Sequence, residues 1–192
     1  LHVRSRRQRQ MCIRDSVAII VSSYGFFGLS AILGVFSLII MMIKPNKKIE
    51  ISLKEMTYVS EMSLTIGIYL LTVGTFLGGM WANESWGRYW SWDPKETWAF
   101  VSVIVYAVVL HMRLVPGLRG KFAFNVAAMW AVWTVIMTYF GVNYYLSGLH
   151  SYAAGDPIPI PFWVPATAVA MLALTLAAWY LQNKVYHVKS KD

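Results

Sequence analysis

The sequence predicts an all-α, polytopic membrane bundle of about five helices, and three observations carry that prediction. Hydrophobic residues make up 57% of the 192 residues and charged residues only 14%, with mean hydropathy +0.50. That balance is wrong for a water-soluble domain of this size. Five runs are apolar for long enough to cross a hydrocarbon core of about 30 Å, which takes roughly 20 helical residues. The basic residues between the runs also gather on one side, as they do in membrane proteins.

In chain order, the first sixteen residues, LHVRSRRQRQMCIRDS, pack five arginines against one acid. They carry no apolar core of their own ahead of a cleavage site, so they do not read as a signal peptide. Met11–Ser16, MCIRDS, matches the translation of a transposase-end adapter used in sequencing libraries, and residues 1–16 are read as a non-native prefix. On that reading the natural part of this chain starts near Val17, and the sequence upstream of it is missing. The remaining 12 basic and 8 acidic residues give a net charge of +4, and Cys12, the single cysteine, belongs to the prefix. No disulfide or thiol chemistry is then assigned.

The first span is Val17–Ile43, followed by Lys44, Pro45, Lys47, Lys48 and Lys54. The second is Met62–Met80. The third is Thr97–Met112, followed by Arg113, Pro116, Gly117, Arg119 and Lys121. The fourth is Phe122–Val142 and the fifth Phe162–Gln182, with Lys184, Lys189 and Lys191 beyond it. Ten basic residues thus share one side, against Arg88 and Lys95 on the other. The positive-inside rule puts the ten in the cytoplasm and turns residues 81–98 and the loop Asn143–Pro161 outward. Gly25, Gly28, Gly34, Gly67, Gly74 and Gly78 read as close helix contacts. Trp130, Trp133, Trp163, Trp179 and Tyr180 read as packing or interfacial anchors.

Residues 81–98, WANESWGRYWSWDPKETW, hold five tryptophans in eighteen residues. Trp offers wide contact area at small entropic cost, which suits a large, flat, partly apolar ligand such as haem, although a Trp belt at a membrane surface needs no ligand. Local grammar adds to the pattern. Asp93 is an acidic N-cap, Pro94 the first helical residue and Glu96 a capping-box partner, so a helix starts at Pro94. Trp86 and Trp90 share a face if their stretch is helical, and Trp90 and Trp92 share one if it is extended. A helix N-terminus favours anions, with Arg88 and Lys95 as partners for haem propionates or, equally, for lipid headgroups or Glu84 and Glu96.

The run WANESWGRYWSWDPKETWAF resembles the signature of the CcsA (ResC) family of cytochrome c biogenesis proteins, haem-handling membrane proteins with a tryptophan-rich WWD segment. Thr72–Met80, VYAVVLHMR with His111, GVNYYLSGLHSY with His150, and VAIIVSSYGFFG follow the same pattern, so the likeness runs from Val17 to about Pro157. The resemblance implies that haem b, carried as cargo, is held at Trp81, Trp86, Gly87, Arg88, Trp90, Trp92, Asp93, Pro94, Lys95 and Glu96. Its vinyl groups would be presented to the CxxCH cysteines of apocytochrome c. It further implies His150 as an external haem-iron ligand and His111 as a ligand at an entry site within the membrane. The opposite ligand at that site would come from a ResB/CcsB-like membrane subunit. In the family a histidine directly precedes the V-x-x-x-x-x-S-Y pattern of Val17–Tyr24, and Ser16 stands there instead, which the prefix explains. His2 and His187 are poor ligand candidates.

The implied partners are the lipid bilayer, haem, apocytochrome c and the ResB-like subunit, with no nucleic acid. The implied setting is the bacterial inner membrane, or an organellar thylakoid membrane, with the WWD segment outward. No nucleophile or general-base arrangement is visible, so the chain would act by proximity and orientation within a holocytochrome c synthase complex. Two other readings remain at this point. One is haem delivery to a separate carrier, and the other is a structural subunit whose Trp belt only anchors it.

Overall fold

The computed structural model describes residues 2–43, 46–146, 148 and 159–189, and side-chain surroundings for 16–43, 46–146, 148 and 159–183. The chain forms α1 (His2–Met41), α2 (Lys47–Trp86), α3 (Pro94–His111) with a short 3-10 turn (Met112–Leu114), α4 (Lys121–Ile136), α5 (Val142–Tyr145) and α6 (Trp163–Lys189). A π-helical stretch, Met137–Gly141, joins α4 to α5. Five of these segments are long and apolar enough to cross a membrane: Ser16–Met41, Lys47–Trp86, Pro94–Leu114, Lys121–Tyr145 and Trp163–Asn183. Tyr69 and Phe76 are each 71% exposed on α2, a pattern suited to lipid and not to water.

Helix α2 is longer than the apolar pattern suggests. It runs unbroken for 40 residues, about 60 Å at 1.5 Å per residue, against a hydrocarbon core of about 30 Å. Residues 47–66 contain no Gly or Pro, and Glu50 and Lys54 are spaced to support each other at i,i+4, so nothing stops the helix where the apolar run begins. Helix α1 likewise continues without a break across residues 16 and 17.

Helices α1 and α2 form the tightest pair. Ser16, Ser23, Ser30 and Ser37 are buried at seven-residue intervals along α1, the period of a left-handed helix crossing. Ser30 and Ser60 join their hydroxyls at 2.7 Å across the pair. A Cβ on Gly67 would lie 2.7 Å from Phe27 Cε1, and one on Gly74 would lie 2.7 Å from Ile20 Cγ1. A Cβ on Gly34 would stand 2.8 Å from the Asn125 carbonyl of α4. These three glycines are the close contacts that the sequence suggests. Gly25, Gly28 and Gly78 are not, since a Cβ at each would meet nothing within 4 Å. A small residue permits close approach but does not compel it, and these three lie on faces that the described helices leave open.

The central core joins Phe27, Leu64, Leu71, Tyr106, Val109, Ala128, Ala131 and Val135 from four helices. Phe27 and Tyr106 stack with ring centroids 3.8 Å apart at 4°. Leu38, Met129 and Ala178 form a second cluster that ties α6 to the bundle, helped by Trp130 Nε1 donating to Thr175 Oγ1 at 3.2 Å. That bond bears out the packing role expected of Trp130. The fourth span extends to Tyr145 through the π-helical stretch, beside which Ser102 and Thr138 share a buried hydrogen bond of 3.2 Å.

Candidate functional site

The tryptophan-rich segment is built between two helix ends. Helix α2 stops because Gly87 adopts φ 73°, ψ 19°, and its N–H bonds the Asn83 carbonyl at 2.9 Å. Glycine enters that left-handed conformation without the Cβ clash other residues meet. Helix α3 starts at Pro94, as its N-terminal grammar predicts. Asp93 caps it, with Oδ2 accepting from the Lys95 N–H at 3.1 Å, and is only 6% exposed. Glu96 does not close the usual capping box. It reaches two residues further back, and its Oε2 accepts from the Ser91 N–H at 2.8 Å and from the Ser91 hydroxyl at 3.1 Å. The link between the helices is therefore tied to the helix it precedes.

Within that link Trp90 and Trp92 meet edge to face at 5.9 Å, and Trp90 also meets Phe100 of α3 at 6.2 Å. Trp86 sits before the turn and pairs with Trp81 at 5.0 Å. Trp92 has φ 58°, and among the described residues it is the one non-glycine in the left-handed region. A bulky side chain there stores of order 1–2 kcal/mol. The strained backbone carries an indole that is 72% exposed. Trp86 and Tyr89 are exposed beside it, whereas Trp90 is half-buried and its indole N–H has no partner among the described residues. A Cβ on Gly79 would come 3.1 Å from the Tyr89 carbonyl, so the link folds back against α2.

The two cations of the segment differ. Arg88 is exposed just past Gly87. Lys95 Nζ donates to Asn143 Oδ1 of α5 at 3.0 Å, so it is engaged by a residue 48 positions away, while Glu96 is taken by Ser91. Gly148 also approaches this corner. A Cβ there would come 2.8 Å from Pro94 Cδ, and nearer still to Asp93 Oδ1. Asn143, Gly148, Ser91, Gly79 and Phe100 are site residues that sequence reasoning missed. All five fall within the quoted family-like stretches, Gly79 in Thr72–Met80, Ser91 and Phe100 in WANESWGRYWSWDPKETWAF, and Asn143 and Gly148 in GVNYYLSGLHSY, but none was given a role. His150 lies outside the described residues, as do Leu149 and 151–158.

His111 is at the other end of α3, about 26 Å from Pro94 at 1.5 Å per residue. It is exposed, and its Nδ1 is 2.7 Å from the Ala107 carbonyl. A carbonyl can only accept, so Nδ1 carries the proton and, in the neutral ring, Nε2 keeps its lone pair. Two residues on, Arg113 forms an ion pair with Glu61 of α2. The proposed haem residues therefore fall into two places at opposite ends of one helix. A third feature, an apolar cavity of about 530 Å³ lined by Trp133, Met137, Phe140, Tyr144, Trp163 and Val164 among others, lies beside the π-helical stretch.

These features define a polytopic α-helical membrane protein with a tryptophan-rich aromatic platform at one end of its bundle. The sequence model of the cytochrome C assembly protein family matches residues 17–150, and the chain belongs to that family. It is 48% identical over 172 residues to protein NrfI of Wolinella succinogenes, covering 87% of this chain and 19% of that protein. It is 46% identical over 99 residues to cytochrome c biogenesis protein CcsA of Prochlorococcus marinus, covering 52% of this chain and 31% of that protein. CcsA of Cyanophora paradoxa is 44% identical over 99 residues, with 52% and 30% covered. The chain spans between about a fifth and a third of the length of these curated relatives.

Proposed function

We propose that this chain holds haem on the platform of Trp81, Trp86, Trp90 and Trp92, on the outer face of the membrane, and presents it for covalent attachment to apocytochrome c. The observation that carries this reading is the exposed Trp92 ring, braced through Trp90 and Phe100 on the capped end of α3, with Gly148 seated against Asp93 and Pro94. His150 follows Gly148 by two residues in the sequence. A neutral imidazole suits axial ligation of haem iron. The capped N-terminus of α3 and the exposed Arg88 suit the propionates.

The register of the first two helices supports a second ligand at the same end. Phe27 lies opposite Gly67 and Ile20 opposite Gly74, so one further turn brings position 16 level with about Gly78, just before Trp81. A histidine in place of Ser16 would stand beside the platform. The family match begins at residue 17, directly after Ser16.

Thioether formation adds a cysteine S–H across a haem vinyl group. The sulfur bonds one vinyl carbon, the proton goes to the other, and no electrons are gained or lost. What the protein supplies is proximity and orientation. In the same reading His111 holds incoming haem b through Nε2 at the basic, cytoplasmic end, with a ResB-like subunit giving the opposite ligand. The membrane is the bacterial inner membrane or a thylakoid membrane.

The test is the absorption spectrum of the Ser16→His protein purified with its ResB-like partner, beside the same complex carrying His150→Ala. A bis-histidine haem spectrum that weakens or shifts on substitution is expected. Haem absent from both, with the partner bound, would leave an anchoring Trp belt as the better account.

A further inference from the structure

Two contacts tie the segment that follows the fourth span to the start of α3. The first is the Lys95–Asn143 hydrogen bond, where Lys95 is the second residue of α3 and Asn143 sits in the short α5. The second is the seat of Gly148 on Asp93 and Pro94, too close to admit a Cβ. Asn143 and Gly148 bracket five peptide bonds, and both ends of that stretch meet three consecutive residues, Asp93–Lys95. A hydrogen bond from an ammonium group is stronger than one between neutral partners. The 3.0 Å contact is made by a half-buried lysine, away from full solvent screening.

We propose that Lys95 is a positioning residue, which straps the segment 143–148 to the N-terminus of α3 and so fixes where the following loop leaves the platform. This rests on the reading that the loop supplies a haem ligand. It differs from one of the alternatives that the sequence left open for Lys95, a direct contact of its charge with the haem propionates. The two roles separate cleanly. A strap needs Asn143, and a propionate contact does not. Gly148 completes the strap because any side chain there would push the segment off Asp93 and Pro94.

The experiment is a double-mutant cycle with Lys95→Met and Asn143→Ala in the full-length protein carrying Ser16→His. Methionine keeps the alkyl length of lysine and loses its donor. Two readouts are taken: amide hydrogen exchange over 142–148 in haem-free protein in detergent, and the low-spin haem signature by electron paramagnetic resonance. The strap predicts that each single variant speeds exchange by about tenfold or more, as loss of a charged hydrogen bond should. The double variant should be no faster than the faster single, because the interaction between the two side chains is already lost in each. The haem signature should shift alike in all three.

Unchanged exchange in Asn143→Ala, or effects that multiply in the double variant, would overturn the strap. Coupled exchange with a haem signature that responds to His150→Ala but to none of the three would overturn the positioning role. Coupled exchange with a signature indifferent to His150→Ala as well would leave the strap standing and refute the haem-site reading beneath it.

Discussion

Replacing Asp93 tests how the platform is held, and its size can be worked from the structure. The carboxylate makes two separable contributions to α3. Its Oδ2 accepts the Lys95 N–H at 3.1 Å, and losing an N-cap acceptor of this kind costs about 1 kcal/mol. Its charge also faces the positive end of an 18-residue helix, an interaction of about 0.5 kcal/mol. At 6% exposure the group is well shielded from solvent, so water screens neither contribution strongly. Asp93→Ala removes both, about 1.5 kcal/mol, or roughly a tenfold rise in local opening at the first turn of α3. Asp93→Asn keeps the acceptor and loses only the charge, giving a rise of about two- to threefold. Amide exchange of Lys95 and Glu96 in detergent reads the opening, and haem retention by the Ser16→His complex should fall in the same order. Equal effects of Asn and Ala would refute the capping account, since the hydrogen bond would then contribute nothing. No effect of Ala would show that the corner is held by other contacts.

The helix pair gives a prediction of opposite signs. Gly67→Ala places a methyl 2.7 Å from a Phe27 ring that is itself stacked on Tyr106 at 3.8 Å and has no room to retreat. It should destabilise by about 1–3 kcal/mol, whereas Gly78→Ala, which meets nothing within 4 Å, should be neutral or stabilise by up to about 1 kcal/mol. Thermal unfolding in detergent checks the pair, and equal shifts would contradict the packing described. Trp92→Gly relieves the backbone at φ 58°, so it should stabilise the link by about 1 kcal/mol while weakening haem retention. A variant that loses stability and keeps its haem would mean that the ring is held for packing alone. His111→Ala should remove a haem signal that added imidazole restores, leaving the signal that depends on His150. No change in haem content on substitution would count against an entry site there.

The parts of this architecture legible in the sequence are those set by local chemistry. The five apolar runs announce five membrane helices, and Asp93-Pro94 announces the start of α3 because a cap and an N1 proline act within one turn. Glu96 shows where local rules stop. Its acceptor role was readable, but its partner was not, since Ser91 and the cap both lie within reach and only the path of the link decides between them. The end of α2 was missed by six residues because Trp81–Trp86 are polar enough to look like loop, yet no residue before Gly87 terminates a helix. The apolar run tells where the membrane ends, and the helix ends only where the backbone is made to stop.

Contacts between distant residues obey no such local signal. Lys95 and Asn143 are 48 residues apart, and Arg113 and Glu61 are 52 apart. A sequence shows each charge with its near neighbours, so Glu84 and Glu96 stood level with haem propionates and lipid headgroups as partners for Lys95. The bundle overrules them by packing α3 against the stretch that ends the fourth span, which brings an amide oxygen to the ammonium while Glu96 turns back to Ser91. The result bears on function. A lysine held by a side-chain amide can fix a loop, whereas the exposed Arg88 keeps its guanidinium at the surface, where an anionic group can reach it. If the platform binds a dianionic porphyrin, substituting Arg88 should weaken binding in a way that salt suppresses, because an exposed ion pair is screened over about 10 Å at 0.1 M salt. Substituting Lys95 should act through geometry and be nearly indifferent to salt. A salt titration of haem binding to Arg88→Gln and Lys95→Met separates the two roles, and equal salt dependence would refute the division between them.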